Sequence, residues 1–249
     1  SYQQTMSMNK NVVVITAMKG LVDIDYKPFC LNTWNYWCNK NNVDLMVLEE
    51  PLMDTTILKP TWQRWYIWKI LENSDLEYDK VALVDVDTMV KWNAPNFFDL
   101  VDSFSACPDN DNIGWVQESI QGYKKFFDRE LDWEEYFNCG FIVMTKEHKS
   151  LCDKFIEFES QNREELINLQ NTISKGTDQT PINYLTRINN SVKFLPKKYN
   201  LTHLYRKELL KDFMFVDAGY VWHFNGFDKS MRYGLMEETW NRIKNNYEN

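Results

Sequence analysis

Apolar residues along this chain repeat with two different periods. Asn11–Ala17 (Asn-Val-Val-Val-Ile-Thr-Ala), Asp44–Leu48 and Val81–Val84 are short, nearly continuous apolar runs. Runs of this length, rich in valine and bounded by polar stretches, predict buried strands. The segments between them change period. Pro28–Asn39 sets Phe29, Trp34 and Trp37 at helical spacing, and Pro60–Leu71 reads as a helix with Thr61 as its N-cap. Trp62, Trp65 and Trp68 recur at i, i+3 and i+6 on that helix, a stripe expected to pack in the core. Farther on, Phe137–Met144 predicts a strand interrupted by Gly140, and Ser150–Gln170 an amphipathic helix. The charges of Glu157–Glu165 form that helix's solvated face. Asp178–Ile188 predicts another helix, Val192–Leu195 and Val221–Phe224 short strands, and Met236–Asn246 a polar C-terminal helix. Strands alternating with helices in the first half predict a parallel α/β sheet. No Pro/Gly/Ser-rich linker, internal repeat or low-complexity tract divides the chain. Residues 11–249 read as one domain, and residues 1–10 as a disordered start or a cloning remnant.

Composition narrows the picture. The chain has 249 residues, 44 % of them hydrophobic, with a net charge of −8. That is an ordinary share for a sizeable core, and the acidic balance disfavours a nucleic-acid partner. The 5 cysteines are odd in number and form no Cys-x-x-Cys pair. A disulfide framework or thiolate zinc site is therefore not expected, and a reducing, cytoplasmic setting fits best. Asn-x-Ser/Thr triplets begin at Asn189 and Asn200, as chance produces in an Asn-rich chain. No apolar run approaches the roughly 18 residues of a membrane span, and no signal peptide opens the chain. No integral membrane segment is expected from these residues, which leaves open peripheral membrane association or a segment outside this sequence.

The candidate chemistry lies at one strand end. Residues 81–87 read Val-Ala-Leu-Val-Asp-Val-Asp, so Asp85 and Asp87 sit at the carboxyl end of a buried strand, where open α/β sheets bind ligands. Adjacent carboxylates repel unless a proton or cation lies between them. A hard divalent metal that also grips phosphate oxygens satisfies that need. Taken alone, each carboxylate could instead cap the following turn. A haloacid-dehalogenase-type phosphatase also places Asp-x-Asp after a buried strand, but needs Thr two positions later, where this chain has Met89. His223, among Trp222, Phe224 and Phe227, reads alone as a core histidine. Trp115 and Trp133 are better placed than the helical stripe to stack on a sugar.

The motifs gain meaning in their order. Asp85-x-Asp87 is followed by Asn138-Cys139-Gly140 opening an apolar strand, by Asp178-Gln179 opening a helix, and by His223-Phe-Asn-Gly226-Phe-Asp-Lys229. From about Val12 to Lys229 the chain resembles the GT-A glycosyltransferases, most closely the retaining family that includes glycogenin and the lipopolysaccharide galactosyltransferases. The resemblance implies a single GT-A domain: a Rossmann-like, mostly parallel central sheet flanked by helices, with a smaller acceptor-side subregion. It implies an N-terminal half that binds a nucleotide sugar and a C-terminal half that completes the metal and acceptor site. The activity implied is transfer of a sugar from a UDP-sugar donor to a glycan, lipid-linked or protein acceptor, with retention. Asp85, Asp87 and His223 match the ligands of a Mn²⁺ (or Mg²⁺), and Lys229 matches a diphosphate contact. Arg64, on the helix before the central strand, matches a basic residue that touches phosphate or sugar. Asn138 matches a donor-sugar contact, Asp178 and Gln179 the pair beside the anomeric carbon, and Thr16 a residue beside the uridine. Two departures, Ser230-Met231 after Lys229 and Thr180 after Gln179, bear on the acceptor and the exact sugar. A non-catalytic nucleotide-sugar binding module would keep the same ligands.

Overall fold

The computed structural model describes residues 9–20, 25–189 and 191–248. Most of the start expected to be disordered, residues 1–8, lies outside them. Asn9 and Lys10 are tied down: Asn9 donates to Asp44 (2.7 Å), and the Lys10 carbonyl accepts from the Asp79 amide.

In chain order the strands are β1 (Asn11–Thr16), β2 (Asp44–Leu48), β3 (Lys80–Asp85), β4 (Thr88–Val90), β5 (Ser105–Pro108), β6 (Phe137–Thr145), β7 (Lys193–Phe194) and β8 (Val221–His223). Six form a sheet in the order β2-β1-β3-β6-β5-β7, with β6 running against the other five. The helices are α1 (Lys27–Lys40), α2 (Pro60–Gln63), α3 (Ile67–Asn73), α4 (Ile113–Tyr123), α5 (Lys149–Ile173), α6 (Gln179–Asn189), α7 (Lys207–Leu210), α8 (Met214–Ala218) and α9 (Lys229–Ile243). The result is the mixed α/β, mostly parallel sheet that the alternating pattern predicts.

The continuous apolar runs are explained by burial on two faces. Side chains alternate across a strand. Val13, Ile15, Ala82 and Val84 therefore meet one core cluster with Trp34, Trp37 and Phe97. Val12, Val14, Val81 and Leu83 meet the other, with Trp62, Trp65, Trp68 and Phe155. Aromatic geometry fixes the first cluster: Trp37 stacks on Phe97 at 4.7 Å between centroids, and its indole donates to the Ala94 carbonyl.

Several local expectations need correction. The segment Pro60–Leu71 is not one helix. It is α2, a 3₁₀ turn over Arg64–Tyr66, and α3. Lys59 precedes Pro60 at the N-cap, so Thr61 lies inside the first turn and its hydroxyl has no hydrogen-bond partner among the described residues. The tighter turn carries Arg64 and Trp65 inward. In α5, Glu159 is not on the solvated face; it is 4 % exposed and held by Arg163 one turn on. The C-terminal helix starts seven residues earlier than its apolar pattern suggests, because Asp228 caps it by accepting from the Met231 amide. Elements β4, β5 and α4 carry too few apolar positions to register as periodic.

Candidate active site

Asp85 is the last residue of β3 and Asp87 immediately precedes β4. The intervening Val86 is buried in the core at 4 % exposure, so the two carboxylates share the opposite side. β4 then pairs antiparallel with β8, with Thr88 opposite His223, and the Phe224 amide donates to the Asp87 carbonyl. This three-residue ladder brings His223 from the far end of the chain to the carboxylates. Its Nε2 lies 3.0 Å from Asp87 Oδ1 and 3.5 Å from Asp85 Oδ2. One ligand atom from each of the three residues lies within 4.8 Å of the others.

The tautomer of His223 follows from a chain of bonds that starts at a backbone amide. Gly140 N–H donates to Asn138 Oδ1 (2.6 Å), which must therefore be the oxygen. Asn138 Oδ1 also accepts from Asn200 Nδ2 (3.0 Å), leaving Asn200 Oδ1 to face His223 Nδ1 (3.0 Å). An amide oxygen only accepts, so Nδ1 carries the hydrogen and Nε2 is the ligating nitrogen. Only glycine fits at position 140: a Cβ there would come within 2.2 Å of the His223 ring.

Behind the carboxylates lies Arg64, 4 % exposed. Its Nη1 donates to Asp85 (2.7 Å) and to the Cys139 carbonyl (3.2 Å). Its Nε and Nη2 face both oxygens of Asp178, at 3.0 and 3.2 Å. The Trp65 indole N–H adds a third bond to Asp178 at 2.7 Å. Trp65 is fully buried, as the stripe predicted, but its polar atom serves the site. Gln179, the first residue of α6, accepts from the Cys139 amide (2.9 Å) and donates to Tyr136 Oη (3.2 Å).

The charges do not balance within the cluster. Burial opposes the charge on Arg64, but Asp178 and Asp85 outweigh it and hold the guanidinium above its usual range. Burial raises Asp85, and the neighbouring Asp87 adds to this against the pull of Arg64. Burial also opposes ionisation of Asp87, yet the charge and hydrogen bond of His223, with Arg232 beyond, bring it below its usual range. His223 is raised in turn: burial disfavours its charge, and Asp87 and Asp85 more than restore it. Carboxylates this close are relieved by a proton or a cation between them.

A cavity of about 370 Å³ opens over this cluster, in the size range of small-molecule sites. Arg64, Asp85, Asp87, Asn138, Asp178, Gln179 and His223 all line it. Two expected residues do not. Thr16 is buried at the end of β1, in register with Asp85, and its hydroxyl has no partner among the described residues. Lys229 sits in the first turn of α9, in a separate surface depression with Asp228 and Tyr233, because the helix cap turns it outward. Arg232, one turn later, is the cation that serves the His223 loop, donating to the carbonyls of Phe224 and Phe227. Sequence reasoning singled out neither Arg232, Asn200 nor the polar role of Trp65. It also missed Asp109, His203 and Tyr205, which line the far wall. Of the two tryptophans nominated for sugar stacking, Trp115 lines the cavity, whereas Trp133 packs against the core.

Among solved structures, the fold is similar to that of a glycosyltransferase involved in the glycosylation of the major capsid of PBCV-1. The TM-score is 0.60 at 14 % identity, covering 92 % of this chain and 98 % of that one. It is also similar to the glycosyltransferase GlyE of Streptococcus pneumoniae TIGR4, with a TM-score of 0.49 at 14 % identity over 94 % of this chain, which spans 65 % of that chain. No curated protein matches the sequence. The family described as Glycosyl transferase family 8 matches residues 7–230. With nearly the whole chain matched, and with a half-buried Asp-x-Asp, a distant histidine and a cavity assembled on an α/β sheet, the protein is a glycosyltransferase and belongs to glycosyl transferase family 8.

Proposed function

We propose that the protein transfers a sugar from a UDP-sugar to an acceptor hydroxyl with retention of anomeric configuration, using a divalent cation held by Asp85, Asp87 and His223. The observation that carries this reading is the convergence of those three ligand atoms within 4.8 Å at the carboxyl end of β3. The donor set fits: hard carboxylate oxygens suit Mg²⁺ or Mn²⁺, and the imidazole favours Mn²⁺. Such an ion supplies Lewis-acid neutralisation of the charge that builds on the leaving diphosphate.

The chain's own residues do the rest. Asn200 takes the Nδ1–H of His223, so that Nε2 is the nitrogen left to face a cation held between it and the carboxylates. Arg64 and Trp65 occupy both oxygens of Asp178, so this carboxylate meets the oxocarbenium-like centre as a fixed negative charge and not as a nucleophile. Gln179 and Asn138, both pinned to β6, orient the sugar. With no free nucleophile at Asp178, front-face transfer is favoured, in which the leaving phosphate oxygen takes the acceptor's proton. The β1–β3 half would hold the nucleotide, with Thr16 on the uridine side, and the later elements would complete the metal and acceptor side.

A screen of nucleotide sugars with Mn²⁺, read by NMR of the anomeric product, tests the reading. The expected result is consumption of a UDP-sugar, with the donor's anomer retained. An inverted product sinks the stereochemical claim. Absence of turnover with every nucleotide sugar and metal sinks the donor assignment.

A further inference from the structure

Thr180, the residue at which the Asp178-Gln179 motif departs from the family pattern, stands in a buried chain of hydroxyls. It is 0 % exposed and does not line the cavity. Its Oγ1 lies 2.6 Å from Tyr136 Oη and 2.5 Å from Ser119 Oγ. Tyr136 is equally buried, and its Oη lies 3.2 Å from Gln179 Nε2. The direction of these bonds follows from a backbone amide. Cys139 N–H donates to Gln179 Oε1 (2.9 Å), which must therefore be the oxygen, so the Gln179 nitrogen donates to Tyr136 Oη. A phenol has one proton, and a buried one needs an acceptor. Among the described residues Thr180 Oγ1 is that acceptor, and the Thr180 proton passes on to Ser119 Oγ. The Gln179 amide carries two hydrogens. Tyr136 takes one, and the other is left for the cavity that half-buried Gln179 lines.

Two further observations separate this chain from the general packing of α6. Gly176 closes over the hydroxyls with φ +83°, and a Cβ there would stand 2.7 Å from Thr180 Oγ1. The backbone of α6 is secured elsewhere: Asn183 accepts from the Phe137 amide and donates to the Phe137 carbonyl, both at 3.0 Å, and donates to the Gln179 carbonyl at 2.9 Å. The hydroxyl chain is thus left to set the side-chain amide of Gln179 alone. A valine at position 180 would fill the same space but accept nothing. The Tyr136 proton would then turn to Gln179, and only a rotated amide, with its oxygen toward the phenol, can take it.

We propose that Thr180 is a positioning residue for the donor sugar: acting through Tyr136, it holds the Gln179 amide so that an N–H, and not the carbonyl, points into the cavity. The proposal rests on the sugar-transfer reading above, in which Gln179 orients the sugar, and names the residues that decide which atom of Gln179 does so. Neither Thr180 nor Tyr136 lines the cavity, so their effect is confined to one hydrogen bond at the sugar. The sugar atom that faces Gln179 is accordingly read as an acceptor.

The test is titration calorimetry of the full chain with Mn²⁺, first with UDP and then with UDP-glucose, UDP-galactose and UDP-N-acetylglucosamine. Wild type is expected to bind UDP and at least one of these UDP-sugars. Thr180→Val should weaken that UDP-sugar about fivefold to tenfold, the worth of one hydrogen bond, and leave the affinity for UDP unchanged. Tyr136→Phe should do the same. The double variant should lose no more than either single one, because both cut the same path. Thr180→Ser keeps the hydroxyl and should bind as wild type does. A disturbance of the fold would weaken UDP and UDP-sugar alike, and that result overturns the inference. So do an unchanged UDP-sugar affinity in Thr180→Val, losses that multiply in the double variant, and a Thr180→Ser variant that fails as Thr180→Val does. Each of these leaves the sugar-transfer reading standing. Failure of wild type to bind any UDP-sugar overturns that underlying reading itself.

Discussion

On the sheet side of the cavity, Arg64, Asn138, Asp178 and His223 are between 2 and 6 % exposed, and each is bonded to at least one other side chain. On the opposite side Tyr205 is 47 % exposed, and His203 and Asn225 each keep a buried polar atom without a partner among the described residues. Apart from the Thr61 hydroxyl, the sheet side is assembled before any ligand arrives. Its dipoles and charges need no reorganisation when charge develops, which is the condition for strong electrostatic catalysis. The far side has hydrogen bonds still to make, and buried polar atoms left open on a cavity wall are completed by what binds there. Bonding within the cavity is thus divided between a rigid wall and a less satisfied one.

The sharpest way to break this contrast is to unpair the rigid wall. Arg64→Met leaves the buried Asp178 and the half-buried Asp85 without their shared cation. It should cost about 3–5 kcal/mol of stability in urea unfolding. A loss under 1 kcal/mol would mean that this wall is not preassembled. Trp65→Phe removes one bond to a buried carboxylate and should cost about 1.5–3 kcal/mol. It should also lower kcat more than it raises the KM for donor, because the bond holds Asp178 in place. Asn200→Leu keeps the volume and frees the His223 ring. Mn²⁺ affinity should fall about 10- to 100-fold, read by titration, with the fold retained by circular dichroism. Unchanged affinity would show that the tautomer is set some other way.

The smallest effect belongs to the far wall. Asp109 titrates below its usual value, so it contributes stability above about pH 4 that is lost as the pH falls through its lowered folded value. His203→Asn should flatten that acid limb slightly and leave stability at neutral pH within the spread of surface substitutions. A drop at neutral pH comparable to that of Trp65→Phe would erase the distinction between the walls.

The same division explains what could be read in the sequence. Asp85 and Asp87 are adjacent on an apolar strand, so local pattern alone reveals them. The sheet was legible for the same reason: β1 and β3 are buried on both faces and carry continuous apolar runs. His223 was legible only through its motif, because the strand that positions it, β8, has three residues and no period of its own. Trp65 illustrates a different limit. Helical spacing marks it as core, and it is core, but no spacing reveals that its indole N–H ends on a carboxylate more than a hundred residues away. Lys229 was the natural phosphate contact by motif, yet the cap at Asp228 starts α9 there and turns the side chain out of the cavity. Asn200, His203 and Tyr205 lie in a stretch with little regular structure, where only tertiary contacts show what each side chain meets.

The central claim is that Asp85, Asp87 and His223 form one cation site. The direct measurement is a Mn²⁺ titration in the presence of UDP, following loss of the free-ion electron paramagnetic resonance signal. The prediction is one Mn²⁺ bound per wild-type chain and none in Asp87→Asn at the same concentrations, with both proteins showing the same far-ultraviolet circular dichroism. Equal binding by wild type and Asp87→Asn would contradict the account.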